Sequence, residues 1–261
     1  MPVKPRSDEP VDQRVKAALA KLETLSTDKD RENLVRFGIS APKAFGVSMA
    51  NIQRVAKDIG RSHELAAALW STGWYEARLL TSFVDDPVQV SSAQMDRWCR
   101  DFDNWGVCDT LCFNLFDRTP HAWAKVRLWS GKRDEFARRA AFALLWGLTV
   151  HDKAAGDAPF VEALALIESA ADDDRHFVKK AVNMALRAVG KRNPALHRAA
   201  LASARRLAGA PVPSACWIGK DALRELTSDG VLRRVGAKAK GAPPNGLSLR
   251  QRGIAAPRGR A

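Results

Sequence analysis

Tyrosine occurs once in these 261 residues and cysteine four times. No apolar run approaches the roughly 18 residues that a membrane span needs. No segment alternates β-branched with polar residues, so the chain has nothing to build a sheet from. The four cysteines, Cys99, Cys108, Cys112 and Cys216, have neither the density nor the spacing of a secreted disulfide framework, and a reducing cytoplasm is the expected home. Cys108 and Cys112 form a CxxxC with no CxxC pair and no HxxxH nearby, a weak zinc signal, so they are expected to be buried structural thiols. Residues 1–10 have no apolar stretch behind their charges and do not read as a secretory signal. Glycine-rich nucleotide loops are missing too: there is no GxGxxG, and Gly219-Lys220 is followed by Asp221 rather than Ser or Thr. His63-Glu64 lacks the second His of a zinc protease, and none of the five histidines has nucleophile-elbow context. Hydride transfer, ATP hydrolysis and zinc proteolysis lose their support, and neither a metal nor a cofactor is expected.

Acidic residues are also scarce. Forty-two Lys and Arg stand against 29 Asp and Glu, a formal net charge of +13. That excess is the electrostatic footprint of a nucleic-acid partner; a merely solvated basic surface is the competing reading. Residues 236–261 contribute Lys238, Lys240, Arg250, Arg252, Arg258 and Arg260 among Gly, Pro and Ala with no acidic residue. This stretch cannot bury a core and is expected to be a disordered basic tail. The body, residues 11–235, stays basic without it, and residues 1–10 are expected to be a flexible N-terminus.

What is abundant is helical periodicity. Residues 11–25 carry a stripe of Val11, Val15, Ala18, Leu19, Leu22 and Leu25. Ser48, Ser62, and Ser91 or Ser92 read as helix caps, with Gly60 and Gly73 as punctuation. Thr119-Pro120, Asp157 with Pro159, and Asn193-Pro194 read as caps with proline in the first turn. About a dozen short helices joined by capped turns, pairing every 35–45 residues, predict an all-α fold. The expected form is a curved α-solenoid of HEAT-like antiparallel helix pairs with a basic concave groove able to cradle a duplex. A compact helical bundle is the alternative.

Two stretches carry candidate chemistry. In Asp103-Asn104-Trp105-Gly106-Val107-Cys108-Asp109, the indole of Trp105 and the carboxylate of Asp109 fall one turn apart on one helix face. With Arg138-Arg139 they can hold a nucleotide whose sugar or base is positively charged. The helix dipole also favours a carboxylate in a first turn, so spacing alone leaves Asp109 open between capping and chemistry. Farther on, Arg175, Lys179, Asn183, Arg187 and Lys191 fall at i+4 steps on a helix expected over 174–189, with Lys180 and Arg192 alongside. A face of one sign repels itself, which a phosphate backbone would relieve.

At these residues the chain resembles the DNA alkylation repair family, the HEAT-like-repeat DNA glycosylases. The likeness runs from about residue 33 to 226. It rests on Phe37-Gly38-Ile39, on Asp103-Asn104-Trp105 with Asp109, on Arg138-Arg139-Ala140, and on Phe177-Val178-Lys179-Lys180-Ala181-Val182-Asn183 through Gly190-Lys191-Arg192-Asn193. The resemblance implies a catalytic Trp105 and Asp109, with Arg139 clamping the phosphate beside the lesion. It also places a second aromatic of many members at Met184, a departure: Met184 offers a polarizable contact without an indole's cation–π attraction. The implied reaction is hydrolysis of the N-glycosidic bond of cationic N3- or N7-alkylated purines in double-stranded DNA. The implied protein is a monomer of the cytoplasm, associated with the nucleoid. Arg138, Arg175, Lys179, Lys180, Met184, Arg187, Lys191 and Arg192 are the expected DNA-contacting residues. A non-catalytic member of the fold that binds damaged or branched DNA is the alternative.

Deletion of 236–261 is expected to lower non-specific DNA affinity without preventing folding, as read by salt titration and thermal unfolding. Affinity that stays flat between low and moderate salt would contradict an electrostatic groove.

Overall fold

A computed structural model describes residues 9–241, with side chains described to residue 237. In chain order the helices are α1 (Val11–Thr24), α2 (Asp28–Arg36), α3 (Met49–Ile59), α4 (His63–Ser71), α5 (Tyr75–Val84), α6 (Ser92–Arg100) and α7 (Trp105–Asn114). A short 3-10 turn, Phe116–Arg118, precedes α8 (Ala122–Ser130), α9 (Glu135–His151), α10 (Ala158–Ser169), α11 (His176–Gly190), α12 (Pro194–Ala208), α13 (Pro213–Leu226) and α14 (Asp229–Gly241). There is no strand among the described residues, as the missing period-2 pattern predicts. No helix among them is long and apolar enough to cross a membrane.

The helices fall into two layers. From α3 onward the odd-numbered ones pack in succession, α3 on α5, α5 on α7, α7 on α9, α9 on α11 and α11 on α13. The second layer runs from α8 to α10, α12 and α14, and neighbours in sequence such as α8 and α9 or α12 and α13 join the layers. The centre is α9, whose residues Ala140 to Leu145 are all without solvent exposure. It touches α7, α8, α11 and the 3-10 turn, and an apolar surface all round is what such a position requires. Trp70 stacks on Trp98 at 4.6 Å. Trp70, Trp123 and Trp129 each turn the indole N–H to a carboxylate, of Asp101, Asp152 and Asp96 at 2.8–2.9 Å, which satisfies the polar end of a large apolar side chain.

Ser48, Ser62, Ser91 and Asn193 cap helices as their sequence positions predict, each accepting the N–H three residues on. Thr119 does not. Its hydroxyl donates back to the Phe116 carbonyl at 2.8 Å, so α8 starts only at Ala122. Asp157 stands at its cap position but accepts from Asn193 Nδ2 at 2.7 Å instead of from its own helix. The helix expected over 174–189 begins at His176, because Asp173 ties down Arg175 before the first turn. The expected N-terminal segment and basic tail lie mostly outside the described residues. At the tail's inner end the expectation of disorder fails: α14 continues through Gly236 to Gly241. Val231 and Val235 are buried on it, and the alanines that follow need no core to favour a helix.

Glu76 on α5 is fully buried. Its carboxylate accepts from the backbone N–H groups of Phe45, Gly46 and Val47 at 2.9, 2.7 and 3.3 Å, closing the loop between α2 and α3. Gly46 sits at φ 83° with Arg31 N and Thr27 O 2.8 Å from where a Cβ would be, so no other residue fits. Glu76→Gln turns a donor toward backbone donors. It is expected to cost about 2 kcal/mol, a fall of roughly 5 °C in a thermal melt; an unchanged melt would show the loop is held by something else.

Candidate active site

Asn104 fixes where α7 begins. Its side chain accepts from Val107 N at 2.9 Å and donates to Asp103 at 2.7 Å, which makes Trp105 the first residue of the helix. Trp105 is half-buried, and its indole N–H donates to the Phe37 carbonyl at 3.0 Å. That carbonyl lies at the end of α2, where Gly38 takes φ 66° and Ile39 N returns to Leu34 O. The Phe37-Gly38-Ile39 motif is therefore the socket that orients Trp105. Ile39 and Tyr75 also close on Gly106.

One turn along α7, Asp109 accepts two hydrogen bonds from Arg139 on α9, Nε at 2.8 Å and Nη2 at 2.6 Å. Their side chains are 15% and 7% exposed. Arg139 Nη1 donates to the Phe177 carbonyl at 2.8 Å, and its guanidinium lies 5.9 Å from the Phe177 ring. The arginine thus joins α7, α9 and the first turn of α11. Burial pushes the Asp109 carboxyl above the usual carboxylate range, with Arg139 opposing. Arg139 itself moves up despite its own burial, held by Asp109. Two of the five guanidinium N–H groups have no partner in these bonds. Cys108 and Cys112 are buried on either side, their thiols turned to the α9 carbonyls of Phe136 and Ala140. Among the described residues no three His, Cys, Asp or Glu side chains gather as a metal set.

The basic helix differs from its sequence pattern. Asn183, in the middle of the expected stripe, is buried and donates to the Ile218 carbonyl at 3.3 Å. Arg175 and Arg138 share the carboxylate of Asp173. Arg187 and Lys191 share that of Glu225. Arg192 donates to the carbonyls of Thr149, Asp152 and Ala155 at 2.7–3.0 Å, closing the C-terminal end of α9. The self-repulsion expected of the face is largely answered from within the chain, by acids outside α11. Lys179 and Lys180 form no ion pair among the described residues and lie over Trp217 of α13 instead. Met184 is half-buried and packs on the core.

The sequence model of the DNA alkylation repair enzymes matches residues 18–216, most of the chain. No match is found among curated proteins. One solved structure superposes with a TM-score of 0.68 at 22% identity, covering 81% of this chain and 94% of its own. It is described as a member of a new family of proteins related to the HEAT-like repeat DNA glycosylases with affinity for branched DNA structures. The likeness establishes the all-helical HEAT-like fold.

A Cβ on Gly106 would stand 2.6 Å from the Tyr75 hydroxyl and 3.1 Å from Ile39 Cδ1. Gly106→Ala is therefore expected to cost about 1–3 kcal/mol by thermal unfolding, with Tyr75→Phe in the same chain restoring part of it. A wild-type melt for Gly106→Ala would mean that α7 is not seated tightly against α5.

Proposed function

The chain belongs to the DNA alkylation repair enzyme family, and from that premise we propose that it is a glycosylase releasing cationic N3- or N7-alkylated purines from duplex DNA. The observation that carries this reading is the Asp109 carboxylate, gripped in two-pronged fashion by Arg139 and still partly open one turn from Trp105. A purine alkylated at N3 or N7 is already positive and leaves as a neutral base, so the reaction needs no general acid. Charge develops instead on the deoxyribose as an oxocarbenium ion. Asp109 stabilises that cation and orients the attacking water through the lone pairs that Arg139 leaves free, and Trp105 offers its π face to the sugar. Arg139 does two jobs: it holds the carboxylate in place and turns its two spare N–H groups to the phosphate beside the lesion. No lysine belongs to the site, so no Schiff-base step is implied.

The residues proposed to meet DNA all sit on or against the odd-numbered layer. Lys179 and Lys180 contact phosphates directly, with Met184 beside the sugar or base. Arg138, Arg175, Arg187, Lys191 and Arg192 supply positive potential from their tethered positions. The protein acts as a monomer on cytoplasmic, nucleoid DNA. A second reading, binding of damaged or branched DNA without chemistry, is favoured by Met184 standing where the resemblance places an aromatic, and it agrees with the description of the structural neighbour.

The test is base release from methylated duplex. Asp109→Asn is expected to lose about 10²–10³ in single-turnover rate while DNA binding survives, since the contact matters mainly in the transition state. Trp105→Ala and Arg139→Ala also slow release, Arg139→Ala weakening binding more. Release of 7-methylguanine or 3-methyladenine at the wild-type rate by Asp109→Asn would remove Asp109 from catalysis. The wild-type rate is expected to fall as pH drops through the raised pKa of Asp109, because a protonated carboxyl no longer balances the sugar cation; a flat profile across the acidic range would contradict this.

A further inference from the structure

Trp217 stands apart from the other tryptophans. It is 37% exposed on α13, and its indole N–H makes no hydrogen bond among the described residues. Over its ring lie two ammonium groups from α11, Lys180 Nζ at 4.8 Å and Lys179 Nζ at 5.5 Å from the ring centroid. Neither lysine is in an ion pair among the described residues, although Asp173 and Glu225 take up their basic neighbours on the same helix. The indole thus presents a partly open π face together with two positive charges that no carboxylate takes up among the described residues.

We propose that Trp217, Lys179 and Lys180 form a stacking platform for an unpaired nucleobase of a DNA strand running past the candidate active site. This deepens the DNA-binding reading above and rests on it. Lys180 follows Phe177 by three residues, about 4.5 Å along the axis of α11, and the Phe177 carbonyl holds Arg139. Arg139 thus links Asp109 to the helix that carries Lys179 and Lys180, and the platform lies in the same layer of helices as the candidate active site. The two ammonium groups are parked on the ring, since a cation–π contact at an exposed site is weak. A strand's phosphates attract them more strongly and release counterions as they do so. The ring is then free to stack on a base, a contact open to every base because each has a π face. In a continuous duplex the bases are already stacked and the indole has nothing to take. The ligand chemistry is that of a single-stranded arm or a base turned out of its helix.

Binding of a short oligothymidine and of a blunt duplex of equal length, at one salt concentration, tests this. Trp217→Ala is expected to lower the ratio of oligothymidine to duplex affinity by about 5- to 100-fold. Trp217→Phe keeps most of that ratio, whereas Trp217→Leu, apolar but without a π face, loses it. Exposure of the residue makes an unfolded variant unexpected, and circular dichroism checks each one. A ratio unchanged in Trp217→Ala, or Leu serving as well as Phe, overturns the platform. Oligothymidine holds no alkylated purine and the assay has no release step, so the outcome is independent of whether Asp109 catalyses excision.

Discussion

The seam between α7 and α9 is fixed by one buried ion pair, Asp109 with Arg139, and the rest of the site is built around it. Three contacts run up that seam in register: the Cys108 thiol to the Phe136 carbonyl, the Asp109–Arg139 pair, and the Cys112 thiol to the Ala140 carbonyl. Small thiols let the helices approach closely enough for the arginine to grip both carboxylate oxygens. Taking both charges out of water is expensive, and a well-packed apolar pair would serve stability as well or better. On the proposed reading, the return for that cost is chemical. Its location, partly open and between an oriented indole and the first turn of α11, is where a charge has something to act on.

The layering of the helices explains why these residues meet. Trp105 and Asp109 are on α7, Arg139 on α9, Phe177, Lys179 and Lys180 on α11, and Trp217 on α13, four successive members of one layer. Each step across the layer adds one helix's worth of surface, so residues more than a hundred positions apart in sequence form one continuous strip. The α2–α3 loop enters from the side. Glu76 holds its backbone, and the end of α2 presents the carbonyl that aims Trp105.

The helical fold, most caps and the Trp105–Asp109 spacing were legible because each is written in short-range pattern: period, capping residue, i+4 placement. The resemblance put Arg139 beside Asp109 only as a clamp for the phosphate; that the two pair with each other was not legible, since nothing local to either residue specifies the other. Four features escaped altogether. The basic face of α11 was misjudged as self-repelling because its carboxylates, Asp173 and Glu225, lie in a preceding turn and on another helix. Asn183 matched the stripe by spacing but faces inward to the Ile218 carbonyl, a fact set by the packing of α11 on α13. Trp217 gave no signal because a tryptophan at helical spacing ordinarily belongs to the core. The Gly-, Ala- and Lys-rich start of the tail lacked core residues, yet α14 extends into it, since docking through Val231 and Val235 lets the helix propagate onward.

The central claim is that the site stabilises a cation formed as a neutral base departs. Single-turnover release compared between 7-methylguanine and hypoxanthine, placed at one position of one duplex, tests it most directly. The account predicts release of the cationic purine at a rate well above the uncatalysed one and no detectable release of hypoxanthine, which cannot leave neutral without a proton donor. Hypoxanthine released as fast as 7-methylguanine, or neither purine released, would contradict it.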